Sequence, residues 1–363
     1  MLSPRARPPF LLAISACASL LIAGCSGGSA KVTESEDAST HDAGHVTADA
    51  GSDASGSDAS EGGVDSGLTL LTEPAQGMTP VYDFIMSAKK SVDMTMYELT
   101  DTTVTGLLTT AAKNGLTVRV ILDQNLEMSE NTTAYNALAA GGVQVHWANT
   151  SYQATHQKTI TIDGTTSAVM TLNLAPQYYA TTRDFAIITT VPADVAAIET
   201  VFNNDFTNTP ILPPEGDGLV WSPTNAQPAL LALIGAAKAS LLIENEEMSD
   251  SDVISALTTA ASRGVNVEVV MTNSRSWTTD FMTLETGGVH VVTYPSNASI
   301  YIHAKVILSD YGTSSASVFV GSENFSNASL TENRELGIIT ADPAILSSIH
   351  TTLASDFQGG TPF

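Results

Sequence analysis

From residue 68 to the C-terminus, apolar residues recur by turns at spacings of three to four and of two, so the chain reads as alternating helices and strands. Val81, Phe84, Ile85 and Ala88 fall on one helical face, as do Val104, Leu107, Leu108 and Ala111. Asn114-Gly115 and Arg263-Gly264 end their helices, and Pro192 and Pro343 open others at a first-turn position. Residues 116–122, 143–147 and 265–271 are short, bounded and rich in Val, which predicts strands. Residues 156–162 alternate as well, predicting a strand with residues 156, 158, 160 and 162 on one face. The alternation of the two periods predicts an α/β protein, with helices covering a mixed, mostly parallel sheet.

The pattern occurs twice. Residues 87–101 align with 236–250, 107–121 with 256–270, and 141–145 with 287–291; Pro192 and Asp205-Phe206 align with Pro343 and Asp356-Phe357. A period this long means duplicated subdomains rather than a solenoid. Two α/β/α sandwiches are expected, over residues 68–212 and 213–363, packed on each other as a pseudo-dimer within a monomeric chain.

The first 67 residues do not belong to this pattern. Arg5 and Arg7 precede a short apolar stretch, residues 10–22, which is too short for an ordinary membrane span and ends in Ile22-Ala-Gly-Cys25. This resembles the bacterial lipobox, so residues 1–25 are expected to be a lipoprotein signal peptide with its lipidated Cys25. That places the mature protein in the bacterial cell envelope, anchored by lipid to the outer membrane or cell surface. Cys17 would leave with the leader, and Cys25 alone permits no internal disulfide and no Cys metal site. Residues 26–67 are rich in Ser, Ala, Gly and Asp and predict a solvated acidic tether; His41 and His45 fall within it.

The net charge is −24. Nine acidic residues against one Lys lie in residues 31–67, and the part beyond still carries 29 acidic residues against 11 Lys and Arg. Such a field repels polyanions, so nucleic acid is disfavoured as a partner, while a small phosphate ester can still enter a locally basic site.

One short pattern supplies such a site, and it too occurs twice: His156-Gln-Lys158 with Asp163, and His303-Ala-Lys305 with Asp310, each reading His-x-Lys-x4-Asp. An Asn follows each copy (Asn173, Asn324), then a carboxylate before an apolar strand (Asp184, Glu335). Two imidazoles suffice to cleave a phosphodiester without metal. One attacks phosphorus; the other protonates the leaving oxygen and then deprotonates the incoming water. Lysines and amides neutralise the equatorial oxygens, and a carboxylate behind each His fixes its tautomer.

This double motif resembles the phospholipase D superfamily, where each copy is typically followed by Gly-Ser-x-Asn and an acidic residue. The second copy matches throughout, with Gly321-Ser322-Glu-Asn324 and then Glu335; the first has Met170-Thr171-Leu-Asn173 and Asp184. The resemblance spans nearly all of residues 70–360. It implies an active site between the halves and a covalent phosphohistidine, with the first-motif His156 as nucleophile and His303 as acid. It also implies catalytic roles for Lys158 and Lys305, phosphate contacts from Thr171, Asn173, Ser322 and Asn324, and His-orienting roles for Asp184 and Glu335. Asp163 and Asp310 belong to the motif and would hold it in place. Met170 in the Gly position is expected to reshape the pocket floor.

Zinc is the rival chemistry. His146, His156, His290 and His303 lack metal-ligand spacing, and paired lysines would repel a cation, so neither metal nor cofactor is expected. The substrate class is left open by the motifs. The lipid anchor, the charge and apolar residues after predicted strands (Tyr178, Tyr179, Arg275, Trp277, Phe281, Met282) favour a phospholipid, although the aromatics fit a core equally well. A secreted nuclease of the same superfamily is the alternative, as is a non-catalytic surface protein that binds phosphorylated ligands.

Overall fold

A computed structural model describes residues 66–363. The expected leader, Cys25 and all but the last two residues of the expected tether lie outside the described residues. The first half runs β1 (Leu68–Glu73), α1 (Thr79–Met86), β2 (Ser91–Met96), α2 (Thr102–Lys113), β3 (Thr117–Leu122), α3 (Met128–Ala140), β4 (Gln144–Trp147), β5 (Thr159–Ile162), β6 (Thr166–Met170), β7 (Thr182–Thr189) and α4 (Pro192–Phe206). The second runs β8 (Leu219–Ser222), α5 (Ala226–Ala236), β9 (Ser240–Glu244), α6 (Ser251–Ser262), β10 (Asn266–Thr272), α7 (Thr278–Thr286) and β11 (His290–Tyr294). It continues with β12 (Tyr301–Ile302), β13 (Val306–Ser309), β14 (Ser317–Gly321), α8 (Asn327–Thr331), β15 (Glu335–Thr340), α9 (Pro343–Gly359) and β16 (Thr361–Pro362).

The duplication is visible in local chemistry. Asp101 and Asp250 cap α2 and α6, each carboxylate accepting two first-turn N–H groups, and Pro192 and Pro343 open α4 and α9. In β2, Val92, Met94 and Met96 face α1–α3; Leu241 and Ile243 of β9 face α5–α7. These alternations build the two outer cores. A third core lies between the sheets, where Val169, Phe185 and Ile187 meet Val306, Val320 and Leu336 along with α4 and α9.

Each sheet has eight strands, ordered β1-β7-β6-β5-β2-β3-β4 with β12 beside β7, and β16-β11-β10-β9-β13-β14-β15-β8. The α/β pseudo-dimer stands, but "mostly parallel" is corrected. Only β2-β3-β4 and β9-β10-β11 run parallel within a half, where α2, α3, α6 and α7 provide the crossovers. The strands after them pair antiparallel. Asp163 and Gly164, both at positive φ (55° and 64°), turn the chain between β5 and β6.

The halves also exchange short strands. Tyr301 and Ile302 of β12 pair in parallel with Thr182 and Arg183 of β7, and Thr155 bridges to Arg334. Two ion pairs lock the same exchange. Arg183 grips Asp356 of α9 (Nε–Oδ2 2.5 Å), and Arg334 reaches Asp205 of α4 (Nη2–Oδ1 3.0 Å). Among the described residues, no helix is long and apolar enough to cross a membrane.

Candidate active site

The strand predicted over residues 156–162 begins only at Thr159, and its counterpart begins at Val306. His156–Lys158 and His303–Lys305 lie just before these strands, where the backbone has left one half for the other. There the His156 N–H donates to Arg334 O (2.9 Å) and the His303 N–H to Arg183 O (3.3 Å). The residue after each of those arginines is the carboxylate, so the exchange delivers each imidazole to the acid of the opposite half. His156 Nδ1 lies 2.7 Å from Glu335 Oε2, and His303 Nδ1 lies 2.7 Å from Asp184 Oδ1. Asp184 and Glu335 are therefore placed behind the histidines, with a crossed pairing that residue order does not reveal.

A carboxylate can only accept, so Nδ1 carries the proton in each pair and Nε2 is the nitrogen left outside the dyad. Glu335 is held in turn by Ser329 Oγ (2.6 Å) and Asn333 Nδ2 (2.9 Å), and Asp184 by Thr171 Oγ1 (2.5 Å). Burial alone would push both carboxyls up; the opposed imidazoles and nearby lysines outweigh it and hold both below the usual range. Burial, with the Lys158 and Lys305 ammonium groups, pushes His156 down against the pull of Glu335. Lys158 is brought down to about 7, first by burial and then by Lys305. The two motifs therefore share one electrostatic field.

Both lysines are fully buried, each Nζ donating to the carbonyl of its own motif's His. Asn173 and Asn324 each turn a buried amide oxygen that has no partner among the described residues. Thr171 and Ser322 are corrected. The Thr171 hydroxyl donates to Asp184 and accepts from the Phe185 N–H, and the Ser322 hydroxyl bonds the backbone of Leu336, so both brace the frame rather than face a phosphate. Asp163 and Asp310, the last residues of the two motifs, serve the backbone. The Asp163 carboxylate accepts N–H groups from Lys89, Lys90 and Ser91, and Asp310 those of Lys238, Ala239 and Ser240, beyond the far ends of β5 and β13. They tie the motif strand to the start of β2 and β9.

Met170 does not form the pocket floor either. It is fully buried in the outer core and pairs with Ala186. Gly321, its counterpart, faces Gly337 so closely that a Cβ would stand 2.5 Å from the Gly337 Cα. Of the aromatics, Phe281 is core, Trp277 packs on that core and the Tyr179 hydroxyl donates to Asp101. Met282 is exposed. His146 stacks on Phe206 and bonds its carbonyl, and His290 is exposed, so neither joins His156 and His303.

Sequence reasoning missed two neighbours of the imidazoles. The Tyr97 ring meets His156 edge-on (centroids 4.6 Å, 72°) and lies 4.9 Å beneath Lys158 Nζ. Glu246 Oε2 lies 3.0 Å from Lys305 Nζ and 3.5 Å from His303 Nε2. The signal that could have found them is the repeat itself, because 87–101 aligned with 236–250 sets Tyr97 opposite Glu246.

Comparison with known proteins gives a consistent picture. A family model described as "Cardiolipin synthase, PLD-like domain" matches residues 81–206 and again 230–357. Cardiolipin synthase A of Pseudomonas aeruginosa is 27% identical over 297 residues, covering 71% of this chain and 59% of that protein. The chain thus spans about three-fifths of the length of the curated relatives it matches. Among solved structures, phosphatidylserine synthase of Haemophilus influenzae superposes with a TM-score of 0.64 at 12% identity, over 82% of this chain and 87% of that one. Polyphosphate kinase of Porphyromonas gingivalis gives 0.63 at 16%, over 80% and 50%. At these identities the two structures share the fold.

Proposed function

The chain belongs to the phospholipase D superfamily, and on that premise we propose that it cleaves or transfers phospholipid phosphodiester bonds, without metal, through a phosphohistidine on His156. The observation that carries the reading is the pair of imidazole–carboxylate dyads, each completed across the halves. His156 Nε2 attacks phosphorus while His303 gives its proton to the departing alcohol oxygen. His303, now neutral, takes a proton from water or from a second alcohol, whose oxygen displaces His156 from phosphorus. Water yields hydrolysis and an alcohol yields transfer. Lys158, Lys305 and the amides of Asn173 and Asn324 surround the equatorial oxygens.

The likeness to a cardiolipin synthase and the acidic charge support a lipid substrate over a polynucleotide. Vesicles of phosphatidylglycerol and of phosphatidylcholine, each given to the purified protein, are expected to be consumed, while supercoiled plasmid stays intact. Mass spectrometry of the lipid separates phosphatidate, the product of hydrolysis, from a dimeric phospholipid, the product of transfer. Nicked plasmid beside untouched vesicles would decide for the nuclease alternative.

We place this activity at the bacterial envelope through lipid on Cys25. A single chain binds a bilayer only marginally, so more than one acyl group is needed for a stable anchor. Cys25→Ser is expected to move the protein from the membrane pellet to the soluble fraction; pelleting equal to the parent removes the lipoprotein reading and leaves the chemistry untouched.

A further inference from the structure

The two halves are not equivalent at the imidazoles. Both β2 and β9 enter the site and end within two residues of Tyr97 and Glu246, which occupy matching places in the repeat. The loops then continue alike, with Leu99 bridging to Leu174 and Met248 to Phe325. The carboxylate behind Nδ1, the lysine and the unpartnered Asn oxygen are present in both halves. The position of Tyr97 and Glu246 changes from a phenol to a carboxylate.

The consequence falls on Nε2. His303 has a carboxylate on each side, Asp184 at Nδ1 (2.7 Å) and Glu246 at Nε2 (3.5 Å). Each nitrogen of His303 thus faces a carboxylate oxygen that can accept from an N–H there. His156 has Glu335 at Nδ1 and, among the described residues, no carboxylate within ion-pair reach of Nε2. Beside it stand the Tyr97 ring, whose hydroxyl donates to Glu127, and the Lys158 and Lys305 ammonium groups. An imidazole in that setting keeps a lone pair on Nε2. We propose that Glu246 is a positioning residue that holds the second proton on His303, and that the exchange of Tyr97 for Glu246 between the halves is what assigns His303 as acid and His156 as nucleophile.

The other groups around His303 do not make this distinction. Asp184 from β7 has its equivalent in Glu335, and Lys305 from the same segment has its equivalent in Lys158. Lys158 and His156 of the first half both act on Glu246, behind Lys305 and His303. Tyr301 holds the other Glu246 oxygen (3.1 Å), so the carboxylate is kept in place from its far side. Burial would raise Glu246; Lys305 and His303 outweigh it and hold it well below the usual range.

The inference rests on the phosphohistidine reading, and its test separates the two. Glu246→Gln keeps the shape and removes the charge. With a p-nitrophenyl phosphodiester, whose leaving group needs no acid, kcat/KM is expected to stay within about threefold of the parent. With an alkyl phosphodiester lipid it is expected to fall on the order of 10²-fold at neutral pH, the scale of a general acid. The alkaline limb of its pH profile should move down by about one pH unit, as expected for loss of an adjacent opposite charge, so that lowering the pH recovers activity. Glu246→Asp is expected to restore part of the alkyl rate, and Tyr97→Phe to leave the profile in place. An equal loss on both substrates with an unmoved profile would mean that Glu246 only supports the fold, and the proposal falls. It also falls if Glu246→Gln binds inorganic phosphate more tightly with an unmoved profile, since Glu246 would then merely occupy the phosphate site. Histidine 15N NMR of parent and variant gives an answer that needs no turnover: the His303 proton should be lost at lower pH in Glu246→Gln, and loss at the same pH in both refutes the assignment.

Discussion

Replacing either His156 or His303 by Ala is expected to cut phospholipid turnover by about 10³-fold or more, and replacing both is expected to cost little beyond either alone. The reason is that in the proposed mechanism the two imidazoles serve one covalent cycle. Without the nucleophile there is no phosphoenzyme for the acid to resolve, and without the acid the alkoxide cannot leave. Independent contributions would instead multiply, and a double variant worse than each single one by a further 10³-fold would show that no shared intermediate exists. Each His sits over the seam between halves, so circular dichroism and thermal melting must accompany the rates. Both single variants are expected to retain the parental fold, because the paired carboxylates keep other partners: Ser329 and Asn333 on Glu335, Thr171 on Asp184.

The second large effect distinguishes the histidines from each other. A p-nitrophenyl phosphodiester departs without protonation, so His303→Ala is expected to release about one equivalent of nitrophenol per active site and then stall. It stalls because no base remains to activate water against the phosphoenzyme. The phosphoryl group should remain on His156 as an acid-labile, base-stable adduct, locatable by mass spectrometry of the peptide that holds residues 156–158. His156→Ala is expected to give no burst. A burst and adduct on His303 in that variant would invert the roles and keep the two-step chemistry, whereas steady slow turnover without adduct in both variants would rule the covalent route out. The asymmetry that motivates the assignment is Tyr97 against Glu246, one beside each imidazole.

Much of this architecture was legible because it rests on local periodicity. Residues 116–122 and 265–271 announce strands, Asn114-Gly115 and Arg263-Gly264 announce helix ends, and Pro192 and Pro343 mark α4 and α9, as the structure has them. The reading failed where tertiary pairing overrides local pattern. The run His156, Lys158, Ile160, Ile162 alternates like one strand, but its first three residues leave the sheet to meet Arg334 in the other half. The expectation of mostly parallel strands fails for a related reason: helical crossovers imply parallel neighbours, whereas Asp163-Gly164 is a hairpin signal and joins the antiparallel β5 and β6. Thr171 and Ser322 were assigned to the phosphate by motif position, although a hydroxyl can be taken up by the nearest backbone or carboxylate, as both are. The crossing of His156 to Glu335 and His303 to Asp184 could not be read at all, since a duplicated sequence is indifferent to whether its halves keep or trade their acids.

That trade has a bearing on timing. The groups of the two dyads stand 179 and 119 residues apart along the chain, so each closes only after a long loop has been drawn together. A chain still emerging from the ribosome, or one whose halves have folded but not docked, has imidazoles without the acids that aim them. Reactivity is therefore expected as a property of docking rather than of either half, and a molecule whose halves have not met is expected to lack phosphodiesterase activity.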